Sequence, residues 1–115
     1  IKMNLNPRLM QVAITNLLIN AIKYSDKNSK ISIFVKDQNK NLLISVIDSG
    51  IGIEEKHHGR LFERFYRVDS SRNREEGGTG LGLAIVKHII QMHNGEILIK
   101  SEVYKGTTFT INLPK

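Results

Sequence analysis

The stretch that most constrains this chain is Gly77–Lys87, which reads GGTGLGLAIVK. Its four glycines run directly into an apolar, helix-like segment that continues to Met92. Glycine lets a backbone approach a ligand with no side chain in the way, and the start of a helix offers unpaired N–H groups to an anion. The stretch therefore indicates a phosphate-binding loop, although a flexible connection with a helix cap explains the glycines equally well.

Two familiar phosphate motifs are excluded by the residues that follow the glycines. A P-loop requires Lys and then Ser or Thr after its last glycine, but Gly82 is followed by Leu83. The dinucleotide fingerprint requires a glycine three places after Gly80, and that position is again Leu83. These glycines therefore belong to another kind of loop.

Composition narrows the class of protein further. A chain of 115 residues forms one domain, and the absence of cysteine excludes disulfides and thiolate metal sites. No apolar run reaches transmembrane length, and the chain starts without Met, as a fragment of a longer protein would. The net charge of +6 is compatible with nucleic acid. Because no run of four basic residues occurs, nucleic-acid binding is the weaker interpretation and is not expected.

Periodicity and turn residues predict an alternation of helices and strands. Asn6 and Pro7 start a first helix that ends near Tyr24, and Gly95 stops a second one. The predicted segments are an edge strand Lys2–Leu5, helix Pro7–Tyr24, strands Ile31–Lys36 and Leu42–Asp48 joined by a turn longer than the tightest type, helix Leu81–Met92, and strands Glu96–Lys100 and Thr107–Leu113. This order predicts an α+β, two-layer α/β sandwich, with a mixed, mostly antiparallel sheet of about five strands and about three helices on one face.

The first predicted helix has two distinct faces. At about 100° per residue, an apolar arc packs against the sheet, while Asn16, Asn20 and Lys23 lie together off that arc. The arc comprises Met10, Ile14, Leu17, Leu18, Ala21 and Ile22. The Asn-Asn-Lys row indicates either one wall of a pocket or a solvated face, and the spacing alone leaves both open.

A second ligand candidate stands at the end of a predicted strand, where Asp48 is followed by Gly50 and Gly52. A carboxylate at a strand end contacts a ligand or simply forms a turn, and both interpretations remain open. The following segment, residues 54–78, has weak periodicity, which in a compact domain is typical of a lid. Within it, His57 and His58 are interpreted as a solvated surface pair.

Four separated stretches together resemble one family, the sensor histidine kinases. Asn16–Tyr24 resembles their asparagine box, Asp48–Ile53 and Gly78–Ala84 their two glycine boxes, and Leu61–Tyr66 their phenylalanine box. The four boxes occur in the family's order, and the similarity covers essentially the whole chain. The chain is thus similar to the catalytic and ATP-binding domain of a bacterial two-component sensor kinase, within the superfamily that includes chaperone, topoisomerase and mismatch-repair ATPases.

The resemblance implies a role for each matching residue. Asp48 would accept a hydrogen bond from the adenine amino group, and the Thr107 hydroxyl would support that contact. Asn20 would bind Mg²⁺ through its amide oxygen, and Arg67 would reach the γ-phosphate of ATP, so that these two residues are the implied catalytic pair. The other implied ATP-binding residues are Asn16, Lys23, Tyr24, Gly50, Gly52, Ile53, Gly78, Thr79, Gly80, Leu81, Gly82 and Leu83.

The resemblance also implies partners that this chain does not contain. None of its four histidines precedes an acidic residue, as the phosphorylated histidine of the family usually does, so an N-terminal dimerisation and phosphoacceptor domain is expected. A cognate response regulator, a monomeric isolated domain, and a cytoplasmic location within a membrane-anchored whole protein are also expected. The alternative is a related superfamily module, either a regulator serine kinase or a clamp ATPase.

Overall fold

The computed structural model describes residues 5–25, 29–66 and 81–115 of the chain. Its elements, in chain order, are helix α1 (Pro7–Lys23), strands β1 (Ile31–Gln38) and β2 (Asn41–Asp48), helices α2 (Glu55–His58) and α3 (Gly82–Met92), and strands β3 (Glu96–Glu102) and β4 (Gly106–Pro114). The predicted edge strand Lys2–Leu5 lies outside the described residues except for Leu5. The predicted α+β class is confirmed.

The described strands form one antiparallel sheet in the order β1-β2-β4-β3. Two hairpins, β1–β2 and β3–β4, meet through the pairing of β2 with β4. Across the sheet, Val35, Ile44 and Ile111 lie in one row. The described part of the sheet therefore has four strands, against about five predicted.

Helices α1 and α3 pack against each other and cover one face of this sheet. Because side chains alternate along a strand, every second residue of β2 and β4 faces the helices, and these residues are buried. Leu17, Val86, Ile90, Ile111 and Leu113 are fully buried at the centre of this layer. Burying one such side chain contributes about 1.5–3 kcal/mol.

Local residue choices explain where each helix begins and ends. The Asn6 side chain accepts a hydrogen bond from the Leu9 N–H at 3.1 Å, and Pro7 occupies the first turn, as predicted. At the end of α3, Asn94 adopts a left-handed conformation with φ of 60°, and the Gly95 N–H donates to the Ile90 carbonyl. This arrangement confirms the predicted stop at Gly95.

Two local predictions were wrong. The β1–β2 connection is a two-residue turn, Asn39–Lys40, because Asn39 tolerates a φ of 63° and its N–H donates to the Asp37 carboxylate. The predicted apolar arc of α1 extends too far, since the Ile22 side chain is 64% exposed. The buried residues of α1 are Met10, Ala13, Leu17 and Ala21, which form a narrower stripe beside the asparagine row.

Among the described residues, no helix combines the length and the apolar character needed to cross a membrane.

Candidate functional site

The helix-covered face of the sheet changes from apolar to polar in its last row. There Asp48 of β2 pairs with Thr107 of β4, which in turn pairs with Ser101 of β3. Asp48 and Thr107 are 6% and 5% exposed, and within the described part of the chain they are the two polar residues assigned to the core. Buried polar groups are costly unless they are hydrogen-bonded, so this row is a specific arrangement rather than a solvated edge.

The Asp48 carboxylate is held by backbone N–H groups. Its Oδ1 accepts from the Gly50 N–H at 2.9 Å, and the Thr107 N–H is a second donor to the side chain. Burial raises the pKa of Asp48, and these two N–H groups oppose that rise. Because an ionised carboxylate has about four acceptor positions, the side chain retains the capacity to accept from a ligand.

The glycines after Asp48 make close approaches to the protein's own backbone. A Cβ on Gly50 would stand 2.0 Å from the carbonyl oxygen of Tyr24, the residue that caps the end of α1. Gly52 has φ of +74°, and a Cβ there would stand 2.0 Å from the Glu102 carbonyl oxygen. These contacts explain why both positions require glycine, and the sequence did not predict them. The approach of these glycines to an adenine base stays a prediction.

The loop between Asp48 and α2 is fastened on both sides. The Ile51 N–H donates to the Tyr24 carbonyl at 3.1 Å, and the Tyr104 N–H donates to the Ile51 carbonyl at 2.7 Å. The loop therefore bridges the end of α1 and the β3–β4 turn. Tyr104 adopts φ of 65° in that turn.

The asparagine row of α1 faces the beginning of α3. The Asn16 Oδ1 lies 3.2 Å from the position of a Cβ on Gly82, and its Nδ2 donates to the Val12 carbonyl at 2.9 Å. Asn16, Asn20 and Lys23 are all half-buried, which a fully solvated face does not explain. A larger residue at position 82 would press against the Asn16 side chain, so the last glycine of the loop allows the two helices to approach.

The first part of the predicted lid is ordered by histidine contacts. The His58 Nε2–H donates to the Ile53 carbonyl at 2.9 Å, and the His57 Nδ1 lies 2.5 Å from the Tyr66 hydroxyl. Both histidines are half-buried, so the interpretation as a solvated surface pair was wrong. The sequence lacked a signal for this, because their partners are five and nine residues away.

The phenylalanine box contributes one aromatic anchor to the core. The Phe62 ring packs edge to face on Phe109 with centroids 6.1 Å apart, and Leu61 beside it is buried. Phe65 is 69% exposed and has φ of 69°. The box therefore ties the start of the lid to the sheet through one of its two phenylalanines.

The predicted site residues fall into three groups. At one end of the sheet, the structure brings together Tyr24, Asp48, Gly50, Gly52, Ile53 and Thr107. The second group lies on α1 and at the start of α3. Asn16, Asn20 and Lys23 are on α1, with Asn16 against Gly82, and Leu81 and Leu83 flank Gly82. Arg67, Gly78, Thr79 and Gly80, with the rest of the lid after Tyr66, lie outside the described residues.

Ser101 is a site residue that sequence reasoning missed. Its Oγ lies 2.8 Å from the Thr107 Oγ1 and accepts from the Ile53 N–H at 2.8 Å. Alternation along β3 and β4, folded back across the turn before Gly106, is a signal that places Ser101 opposite Thr107. The predicted strand ended at Lys100, one residue before Ser101, so the pairing of Ser101 with Thr107 was not predicted.

Comparison with known proteins identifies the family. A model of the histidine kinase-, DNA gyrase B- and HSP90-like ATPases matches residues 5–115. The chain belongs to this ATPase family. The predicted resemblance is therefore confirmed over the whole described part of this ATPase domain.

Two relatives of this chain are sensor histidine kinases. The ATPase domain is 49% identical to the sensor-like histidine kinase SenX3 of Mycolicibacterium smegmatis, over 93% of this chain and 28% of that protein. It is 46% identical to the signal transduction histidine-protein kinase ArlS of Staphylococcus aureus, over 96% of this chain and 25% of that protein. The chain thus spans about a quarter of the length of these relatives.

Solved structures agree with this assignment. The nucleotide-free catalytic domain of histidine kinase ThkA superposes with a TM-score of 0.83 at 30% identity, over 96% of this chain and 70% of that one. The mycobacterial sensor histidine kinase MprB gives 0.82 at 28% identity, over 95% and 72%. The fold of this ATPase domain is that of histidine kinase catalytic domains.

Proposed function

We propose that this domain binds Mg-ATP and transfers the γ-phosphoryl group to a histidine on a separate dimerisation and phosphoacceptor domain. One observation carries the proposal. In a chain of this ATPase family, the carboxylate of Asp48 is buried beside Thr107, is held by two N–H donors, and keeps acceptor positions for a ligand.

The adenine end of the proposed site is the polar row with its glycine loop. Asp48 accepts a hydrogen bond from the adenine amino group, and Thr107 supports that contact. Gly50, Gly52 and Ile53 line the approach, and Tyr24 packs beside the nucleotide. A fixed carboxylate selects adenine over guanine, because guanine has a carbonyl where adenine has an amino group.

The phosphate end of the proposed site lies along α1 toward the start of α3. A ligand that reaches from Asp48 to Gly82 passes the face of α1 that bears Asn20. Asn20 holds Mg²⁺ through its amide oxygen, which is the hard ligand that this ion prefers, with Asn16 and Lys23 toward the phosphates. The proposed phosphate-binding backbone N–H groups belong to Gly78, Thr79, Gly80, Leu81, Gly82 and Leu83.

The metal in this proposal is shared with the substrate. The described residues contain no cluster of three or more His, Cys, Asp or Glu side chains suited to a metal ion. Mg²⁺ usually keeps several waters and binds through one or two protein ligands and substrate phosphates, so a single amide ligand such as Asn20 is compatible with it. Arg67 then balances charge at the γ-phosphate during transfer.

The phosphate acceptor lies on another domain in this proposal. Each of the four histidines is followed by a residue other than Asp or Glu: His58, Gly59, Ile89 and Asn94. The proposed partners are therefore an N-terminal helical domain of the same protein and a cognate response regulator. The cytoplasmic location and the membrane anchor of the whole protein stay predictions, as does the monomeric state of the isolated domain.

The second candidate is a clamp ATPase or a regulator serine kinase of the same family. A clamp ATPase uses a glutamate on its first helix to activate water, and no Glu occurs between Pro7 and Tyr24. This absence and the phenylalanine box favour the histidine kinase. A phosphoserine product on a supplied regulator would favour the serine kinase instead.

The test of nucleotide binding is calorimetric titration of Mg-ATP into the wild-type domain and into Asp48→Asn. We expect the variant to bind at least about tenfold more weakly, since it loses a charged acceptor at a buried site. Asp37→Asn is the matched control, because Asp37 pairs with Lys115 at the far hairpin and should leave affinity unchanged. Equal binding by wild type and Asp48→Asn would contradict the adenine assignment.

Phosphoryl transfer needs a second measurement. The domain is mixed with a purified phosphoacceptor domain and radiolabelled Mg-ATP, and acid-labile, base-stable phosphate is followed. Phosphohistidine on the acceptor is expected. Nucleotide binding without any phosphohistidine would reduce the proposal to an ATP-binding module.

A further inference from the structure

Ser101 stands at the junction of three parts of the candidate site. Its Oγ lies 2.8 Å from the Ile53 nitrogen, 2.8 Å from the Thr107 Oγ1 and 3.0 Å from the Gly106 carbonyl oxygen. The Ile53 N–H can only donate and the Gly106 carbonyl can only accept. Because a serine hydroxyl carries one proton, these three contacts determine how its hydrogen bonds are directed.

The arrangement that satisfies all three contacts is unique. Ser101 donates its single proton to the Gly106 carbonyl, and its lone pairs accept from the Ile53 N–H and from the Thr107 hydroxyl. The Thr107 proton is then directed away from Asp48, toward β3. Thr107 consequently offers only lone pairs to any ligand that reaches the polar row.

We infer that Ser101 is a positioning residue that makes Thr107 an obligatory hydrogen-bond acceptor and thereby sets the selectivity of the site for a 6-amino over a 6-oxo purine. This inference rests on the proposed nucleotide-binding function. With Asp48 and Thr107 both acting as acceptors, a base with an amino group is matched by two acceptors. A base with a carbonyl at the same position meets lone pairs on both sides.

The same hydroxyl also anchors the beginning of the predicted lid. Ile53 is 5% exposed, its N–H is bound by Ser101, and its carbonyl accepts from His58. Loss of the Ser101 hydroxyl therefore leaves a buried N–H without its partner and frees the Thr107 proton to rotate toward the ligand. The loss of the Ile53 hydrogen bond is detectable in the nucleotide-free domain. The change at Thr107 is detectable only when a nucleotide is bound.

The experiment compares ATP with inosine triphosphate, which differs in having a 6-oxo group and a protonated N1. Affinities of both Mg-nucleotides are measured by calorimetry for wild type, Ser101→Ala and Ser101→Thr. We expect Ser101→Ala to reduce the preference for ATP over inosine triphosphate by about tenfold, because Thr107 becomes able to donate to the 6-oxo group. Ser101→Thr keeps the hydroxyl and should restore the preference.

The chain contains a matched control on the other face of the sheet. Ser45 Oγ lies 3.0 Å from Thr110 Oγ1 across the β2–β4 pair, which is the same kind of Ser–Thr contact away from the polar row. Ser45→Ala should leave nucleotide preference unchanged. Amide hydrogen exchange of Ile53 in the nucleotide-free domain should become faster in Ser101→Ala and stay unchanged in Ser45→Ala.

The outcomes separate this inference from the proposed function. If wild type binds neither nucleotide, the proposed function fails and the inference about base selectivity fails with it, whatever Ile53 exchange shows. If wild type prefers ATP and Ser101→Ala weakens both nucleotides equally or neither, Thr107 is not oriented by Ser101 and this inference alone is overturned. The inference is also overturned if Ser101→Thr has wild-type stability but shows the same reduced preference for ATP over inosine triphosphate as Ser101→Ala.

Discussion

Asp48 illustrates a conflict between stability and ligand binding at a single residue. Its burial raises its pKa, so the ionised form that can accept from an amino group is disfavoured by the fold around it. The N–H groups of Gly50 and Thr107 reduce that cost without removing it. A residue that weakens the free domain yet is held by a dedicated loop is typical of a functional site.

The sign of this effect gives a prediction. Because the folded state binds a proton on Asp48 at higher pH than the unfolded state, the contribution of Asp48 to stability falls as pH rises from about 3.8 through the folded pKa and then stays level. Asp48→Asn lacks this loss, so it should unfold at the same or a higher temperature than wild type at pH 7. The advantage should shrink below pH 4. Thermal unfolding of both proteins at pH 3.5 and pH 7 measures this difference. A melting temperature of Asp48→Asn below that of wild type at pH 7 would contradict the prediction.

Gly50 gives a second prediction at the residue scale. An added Cβ would stand 2.0 Å from the Tyr24 carbonyl oxygen, which is backbone and cannot move aside cheaply. Gly50→Ala should lower the free energy of unfolding by about 1–3 kcal/mol. Gly59→Ala is the control, since a Cβ there meets no atom within 4 Å. Urea denaturation of both variants is the measurement, and equal midpoints would show that the loop adapts.

His93 links the C-terminal end of α3 to the N-terminal end of α1. The His93 Nδ1–H donates to the Ile89 carbonyl at 2.8 Å, which leaves Nε2 to accept from the Asn6 N–H at 3.1 Å. The residue that caps the end of α3 therefore binds the residue that caps the start of α1. This link holds together the helices whose other ends carry Gly82 and the asparagine row.

Removal of this link should loosen the pairing of the two helices. His93→Ala leaves the Asn6 N–H without its acceptor, and we expect a loss of about 1 kcal/mol in the free energy of unfolding. His88→Ala changes an exposed histidine on the same helix and should stay within about 0.5 kcal/mol of wild type. Guanidinium denaturation followed by far-UV circular dichroism compares the three proteins. Equal losses from both substitutions would argue against a specific role for the link.

For the whole molecule, burial is decided by how the helix layer sits on the sheet. Leu17 and Ile22 both belong to the apolar arc of α1 that periodicity predicts, yet Leu17 is fully buried and Ile22 is 64% exposed. The angular difference between them, about 140°, is enough to turn Ile22 away from the sheet. The asparagine row flanks the buried stripe on its other side.

This difference predicts unequal effects of two similar truncations. Leu17→Ala should cost about 2–5 kcal/mol, because it opens a cavity between α1, α3 and the sheet. Ile22→Ala should stay within about 0.5 kcal/mol of wild type, because it removes exposed surface and adds a good helix former. Calorimetric melting of both variants checks the contrast. A large loss from Ile22→Ala would mean that this side chain is covered in the folded protein.

Features that depend on local interactions were predicted correctly from the sequence, and features that depend on contacts between separated residues were not. The start of α1 at Asn6 and Pro7, the stop of α3 at Gly95 and the hairpin strands were predicted, because caps and alternation are local properties. The two-residue turn at Asn39 was not, since the Asp37 side chain had to be recognised as the acceptor for its N–H. The histidine pair was misinterpreted because its partners, Ile53 and Tyr66, are reached only after the chain turns back.

The sequence by itself therefore determined the helices, most of each strand, the layer architecture and the family, because each is carried by local patterns or by four motifs in a characteristic order. Only the tertiary structure decided that Ser101 completes the row of Asp48 and Thr107, that Gly50 makes room for Tyr24, and that Ile22 lies outside the core. These three results depend on contacts between segments far apart in the chain. Such contacts follow from the register of strands and the placement of helices, which no single segment encodes.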